Sequence, residues 1–256
     1  MSATTFPGEA MPYDLNLLLD AHVHLQSYPE DILPKALTRA RNVGVTRFGC
    51  CGTSAADWDR VLFLSKTEPG VQPSLGLHPW FVGKPGAPDW REQLESLLAA
   101  NPLAGVGEIG LDGTRAMRSL QSTCFIAQLE LAERYGRRLA LHCVKAHSEM
   151  AAILKKHAKR LFEVLLHAPA CSLEQWRDYN KLGVCVSIGP QVLSTRSDKM
   201  REIARLVPEN RLFYETDSPS MAINGCGVAE LGGLNSPENL PRIMVEVQRL
   251  RVKTEI

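Results

Sequence analysis

The chain has 256 residues, 45% of them hydrophobic, with 29 basic against 28 acidic side chains, enough for one large core and short for two complete domains. A net charge of +1 lacks the basic excess of a dedicated nucleic-acid binder, and no apolar stretch approaches membrane-spanning length. The seven cysteines leave no full pairing and several fall inside predicted elements, so they read as reduced thiols of a cytoplasmic protein.

In chain order, residues 1–12 lack the basic start and apolar centre of a signal peptide, and residues 1–14 read as loop. Eight short runs then read as strands: 17–21, 46–50, 72–76, 104–108, 138–142, 162–167, 184–188 and 212–216. Most are near-continuously apolar, as expected of parallel strands covered on both faces. Amphipathic helical stretches separate them. Ile32, Leu33, Ala36, Leu37 and Ala40 form one such face, stopped by Gly44. Trp90, Leu94, Leu97 and Leu98 form the next. Leu120, Cys124, Ala127 and Leu131 precede Gly136, and Met200, Ile203, Ala204 and Val207 precede Pro208. Strands alternating with helices over this length predict a (β/α)8 TIM-type barrel, one domain spanning 1–256. The rival, a doubly wound sheet, lacks a glycine-rich fingerprint after its first strand.

A barrel of this kind takes its functional groups from the carboxyl ends of its strands. His22 and His24 close the first strand two residues apart, so both imidazoles face the same way. His78 follows the third strand, Glu108 ends the fourth, His142 the fifth and His167 the sixth, and Asp217 follows the eighth. Five of the seven histidines therefore sit at strand ends, where imidazole is the commonest nitrogen donor to a divalent metal.

The motifs Asp20-Ala-His-Val-His24, Gly76-Leu-His-Pro79, Gly107-Glu-Ile-Gly-Leu-Asp112, His142, His167 and Glu215-Thr-Asp-Ser-Pro219, in this order, resemble the TatD family of metal-dependent hydrolases among the amidohydrolase-like barrels. The resemblance implies two-metal phosphodiesterase chemistry, usually on DNA. It implies that His22, His24 and Asp217 hold one metal, that His142 and His167 hold the second, and that Glu108 bridges them. His78 then lies on the substrate side, in reach of a phosphate. Two cations close together lower the pKa of a shared water and stabilise both attacking and leaving oxygens. Asp217 is the candidate general base for that water. Four imidazoles and two carboxylates suit Zn, Mn or Mg without selecting one.

The chain departs from the family where substrate is touched. Val144 and Lys145 stand where many members carry an arginine after the fifth-strand histidine, and His167-Ala-Pro-Ala-Cys replaces a frequent His-Cys-Phe-x-Gly. After a helix to about residue 250 the chain stops at Ile256, where relatives usually continue through another helical segment, so the last helix is expected to be truncated or naturally short.

Further side chains carry open alternatives. Glu215 either supports a ligand or is an ordinary buried polar residue. Asp112, read as loop, supports a ligand or caps the next helix. Lys145 binds a phosphate oxygen or opens a helix at the surface. Trp80 and Phe81 stack on a base or pack on a helix. His157, within Lys155-Lys-His-Ala-Lys-Arg160, reads as part of a solvated basic face. Thr216 and Ser218 need no role beyond the turn, and Cys143 reads as core. The glycine-rich loop 224–235 overhangs the site or is padding. The leading function is a phosphodiesterase or deoxyribonuclease acting on DNA or short nucleic-acid ends, with no membrane association and no obligate protein partner. The alternative is a small-molecule amidohydrolase or lactonase on the same barrel. A catalytically silent interaction barrel would show degraded ligand positions, and all six here carry competent side chains.

Overall fold

A computed structural model describes residues 18–84, 89–158 and 160–252. The expected N-terminal loop over 1–14 lies outside the described residues. Eight strands alternate with helices: β1 (Leu18–Val23), α1 (Leu33–Asn42), β2 (Val45–Cys51), α2 (Trp58–Thr67), β3 (Val71–Leu75), α3 (Trp90–Ala100), β4 (Gly105–Asp112), α4 (Arg118–Tyr135), β5 (Leu139–Val144), α5 (His147–His157), β6 (Val164–His167), α6 (Leu173–Lys181), β7 (Cys185–Ile188), α7 (Asp198–Leu206), β8 (Leu212–Tyr214) and α8 (Leu240–Val252).

The strands pair in parallel in sequence order from β1 to β8. Just beyond β8 the chain returns to β1. Asp217 N–H donates to the His22 carbonyl at 3.0 Å, and His24 N–H donates to the Ser218 carbonyl at 2.8 Å. The protein is a (β/α)8 barrel, as the alternation of apolar runs and amphipathic stretches predicts.

Local chemistry sets the element ends. Pro34 opens α1, where its missing N–H costs nothing. Ser172 and Gln175 form a reciprocal capping box at the start of α6, with bonds of 3.2 and 3.0 Å. Gly136 ends α4 at φ 61, a left-handed conformation free of strain only for glycine. Between strands and helices, Phe48, Leu75, Leu94, Leu98, Ile109 and Leu129 are fully buried, each contributing ~1.5–3 kcal/mol of transfer free energy. Two buried polar side chains in this layer are paired: Trp58 Nε1 donates to the Gly76 carbonyl at 3.0 Å, and Gln128 brackets Leu77, accepting from its N–H at 2.6 Å. No described helix is long and apolar enough to cross a membrane.

Several strand ends differ from expectation. β1 runs on through the buried His22 to Val23, which pairs with Cys50, and β4 runs on to the buried Asp112, which pairs with Val144. His22 is therefore a strand residue, and Asp112 is the last residue of β4 and not a loop position. β6 starts at Val164, leaving Phe162 half exposed, and β8 stops at Tyr214, short of Glu215 and Thr216.

Candidate metal centre

The seven strand-end candidates His22, His24, His78, Glu108, His142, His167 and Asp217 converge in the barrel mouth, and all are buried. Glu108 is the hub. Its Oε2 lies 3.3 Å from His22 Nε2 and 3.2 Å from His24 Nε2, and Asp217 Oδ1 is 3.3 Å from the same His24 nitrogen. Its Oε1 lies 3.1 Å from both His142 Nδ1 and His167 Nε2, which are 3.4 Å from each other. His78 Nε2 also approaches Oε1, at 3.3 Å. Donor atoms of His22, His24 and Asp217 lie within 4.8 Å of one another, as do those of His22, Glu108 and His167 and those of His78, Glu108 and His142.

The far side of each ring decides which nitrogen carries a lone pair. His24 Nδ1 donates to the Cys51 carbonyl at 2.7 Å, leaving Nε2 as a lone pair toward Glu108. His167 Nδ1 donates to Glu215 Oε1 at 3.3 Å, again leaving Nε2. His142 Nε2 donates to Asp112 Oδ2 at 3.4 Å, leaving Nδ1. For His22, the Cys51 thiol donates to the Gly49 carbonyl, so its sulfur accepts from His22 Nδ1 at 3.5 Å. His22 Nε2 is then a fully buried nitrogen with no hydrogen-bond partner. An orphaned buried nitrogen beside two carboxylates is costly unless a cation takes its lone pair, so the donor set fits a divalent metal.

His78 differs. Its Nδ1 accepts from the backbone N–H of Trp80 at 3.2 Å, so in the neutral ring Nε2 carries the proton. It faces Glu108 as a donor, where the other four rings face it with lone pairs. Burial, reinforced by the nearby His142 and His24 rings and opposed by Glu108, holds His78 below its ordinary range.

Burial opposes the ionisation of Glu108, but the fields of His78, His167 and His22 and the hydrogen bond from His142 hold its carboxyl well below the usual range. Burial likewise opposes charge on Asp217, and His24 overcomes it. His24, His142 and His167 are raised in spite of burial by the carboxylates they face. Protons and divalent cations compete for these same lone pairs.

Backbone geometry at the mouth is demanding. Gly110 in β4 has φ 149, and a Cβ there would meet the His142 carbonyl at 1.9 Å, so only glycine lets β4 and β5 approach closely enough. Lys145 (φ 50), Ala168 (φ 38) and Asp217 (φ 53) follow β5, β6 and β8 in left-handed conformation. Such residues cost on the order of 1–3 kcal/mol each and gather where function dictates position. Lys145 is exposed at the rim, apart from the buried cluster.

Other side chains acquire definite roles. Glu215 accepts from Ser187 Oγ and orients His167, as one of its two readings allowed. Asp112 accepts from Thr114 N–H and Oγ1 at 2.8 and 2.5 Å and from Trp80 Nε1 at 2.6 Å, besides supporting His142. Thr216, expected to need no role, donates through N–H and Oγ1 to Asp20 at 3.0 and 2.5 Å, tying the segment after β8 to β1. His157 is not on a solvated face, because its Nδ1 is 2.5 Å from Glu133 Oε1 and the ring is largely covered. Cys143 is core. The residues that sequence reasoning missed are Ser187 and Asp20. Each left one signal, a polar side chain inside an apolar strand run.

The family description "TatD related DNase" matches residues 19–255. An Escherichia coli (strain K12) protein named "Uncharacterized metal-dependent hydrolase YjjV" is 32% identical over 238 residues, covering 91% of this chain and 90% of its own. A Pantoea vagans protein named "3'-5' ssDNA/RNA exonuclease TatD" is 30% identical over 225 residues, covering 85% of each. The crystal structure of YjjV superposes with a TM-score of 0.83 over 91% of this chain and 90% of that one, at 30% identity. A TatD family hydrolase from Entamoeba histolytica shares the fold, with a TM-score of 0.79 over 92% of this chain and 91% of that one, at 17% identity. With a match over nearly its whole length and a mouth built of metal-competent side chains, the chain belongs to the TatD related DNase family and is a metal-dependent hydrolase.

Proposed function

We propose that this hydrolase cleaves phosphodiester bonds at the 3′ end of single-stranded nucleic acid, with two divalent cations and a water. The observation that carries this reading is the division of Glu108. One oxygen serves the His22, His24 and Asp217 group, the other the His142 and His167 group, each ring turned so that its lone pair faces inward. His22, His24 and Asp217 would hold one ion, His142 and His167 the other, with Glu108 shared. Imidazole and carboxylate together suit Zn, Mn or Mg.

When bound, the ion pair polarises the phosphate and supplies an acidified water. Asp217, whose carboxyl is held below its ordinary range, would accept the proton of that water. His78, neutral with its proton on Nε2, donates a hydrogen bond to a phosphate oxygen. Lys145 at the rim meets the next phosphate as a point charge. Glu215 and Asp112 hold His167 and His142 at fixed tilt, which keeps reacting groups aligned. All seven cysteines are free thiols, which fits a reducing compartment such as the cytoplasm.

The test is an end-labelled single-stranded oligonucleotide with chelator-stripped protein and Mg, Mn or Zn restored. Ladder shortening from the 3′ end is expected, and Asp217→Asn should lose about 10²- to 10⁴-fold in rate as a missing general base does while keeping most of its metal. No cleavage by metal-loaded protein would overturn the reading and favour a small carbonyl or phosphate ester substrate.

A further inference from the structure

Phe81 and Trp80, adjacent in sequence, have different fates. Phe81 packs with Leu77, Val82 and Cys124, whereas Trp80 is 47% exposed on the rim of the mouth. Trp80 is nonetheless fixed. Its Nε1 donates at 2.6 Å to Asp112 Oδ2, the oxygen that also faces His142. Its ring centroid is 5.2 Å from that of His78 and 6.3 Å from that of His142. The guanidinium of Arg115 lies over the indole, 4.5 Å from the centroid. Among the described residues neither Arg115 nor Lys145 forms an ion pair, and both side chains are exposed, so these two cations are available to a ligand.

Resting on the nuclease reading above, we propose that Trp80 and Arg115 form the seat for the unpaired base of the nucleotide being removed. A flat cation over an indole marks the place a flat base takes. The base lies on the indole, and Arg115 closes over its outer face or turns to the phosphate. The chain carries a net charge of only +1, so a broad basic field does not grip the strand, and a stacked base supplies that grip locally. The seat reads a π-face and no base edge. It therefore accepts every base but refuses one still paired and stacked in a duplex.

The experiment compares two metal-loaded digestions, one of an oligonucleotide with a natural 3′-terminal nucleotide and one of the same strand ending in an abasic tetrahydrofuran unit. Wild type should favour the natural end by about 5- to 150-fold in kcat/KM, the worth of one base–aromatic stack. Trp80→Ala should bring that ratio close to one, and Trp80→Phe, which keeps a flat ring but not the bond to Asp112, should retain most of it. Arg115→Ala should fall between. Because the readout is a ratio within each protein, loss of support to Asp112 and His142 lowers both rates and leaves it unmoved. Equal cleavage of both ends by wild type, or an undiminished ratio in Trp80→Ala, overturns the seat alone. No shortening of either strand by wild type overturns the nuclease reading as well.

Discussion

Glu108 in the barrel mouth and Glu246 on the outer helix α8 are both acids held below the usual glutamate range, by opposite kinds of neighbour. Glu246 meets permanent cations. Arg249 donates to it twice, at 2.7 Å each, and Arg201 donates at 2.6 Å while also reaching the Val192 carbonyl. That cluster is electrostatically complete within the protein. Glu108 meets five imidazoles, four of them turned by Cys51, Asp112 and Glu215 so that lone pairs face carboxylate lone pairs. Such a cluster is complete only with a proton or a metal cation between its members. The difference separates an ion pair that holds helices together from a charge cluster whose donor atoms could hold a metal ion.

Removing the hub tests this difference most severely. Glu108→Ala takes a shared donor from both groups, so metal content by elemental analysis should fall to less than half that of wild type. Activity should fall on the order of 10³-fold or more, since several kcal/mol of transition-state charge stabilisation go with the metals. Retention of both metal and full activity would show that the mouth, like Glu246, is merely a structural charge cluster.

A milder change sharpens the comparison. Glu215→Gln and Asp112→Asn keep shape but replace an anionic acceptor with an amide, weakening the hold on His167 and His142. Partners of this kind cost about 10- to 100-fold in metal affinity or activity when lost. Titration with Zn or Mn should show weakened binding in each variant with thermal stability nearly unchanged. Unchanged affinity would mean that metal binding depends on the directly facing atoms alone.

How much of this was legible in the sequence follows from what a side chain advertises. The barrel was legible because strands buried on both faces appear as apolar runs, as Leu139–Val144 does around its single histidine. The convergence of His22, His24, Glu108, His142, His167 and Asp217 was legible because a barrel gathers strand ends at one face. Strand lengths were not, since Asp112 and His22 look like surface residues yet are buried within β4 and β1, Asp112 pairing with Val144. The tautomers were not legible either. They depend on groups remote in sequence, such as the Cys51 carbonyl for His24 and Glu215 for His167. Nor was the divergence of Trp80 from Phe81, which hinges on one hydrogen bond to a residue 32 positions away.

The smallest effect is expected at the other pole of the comparison. Glu246→Gln keeps an oxygen for Arg201 and Arg249 but removes the charge. The Glu246 side chain is 17% exposed and that of Arg249 is 47% exposed, so solvent screens the pair, and the loss should be no more than ~1 kcal/mol at neutral pH. The hydrogen bonds from Arg249 and then Arg201, set against the cost of burial, lower the carboxyl to about 2 from its ordinary 4.5. A depressed acid contributes stability that is present above the unfolded value and lost as pH falls through the folded one. The difference between wild type and Glu246→Gln in urea unfolding should therefore be full above about pH 4.5 and shrink toward pH 2. Metal content and hydrolysis should be unaffected at neutral pH, because Arg201 and Arg249 already complete this carboxylate without any cation from solution. A Glu246→Gln protein that lost metal would break the separation between the two clusters and tie the outer helices to the mouth.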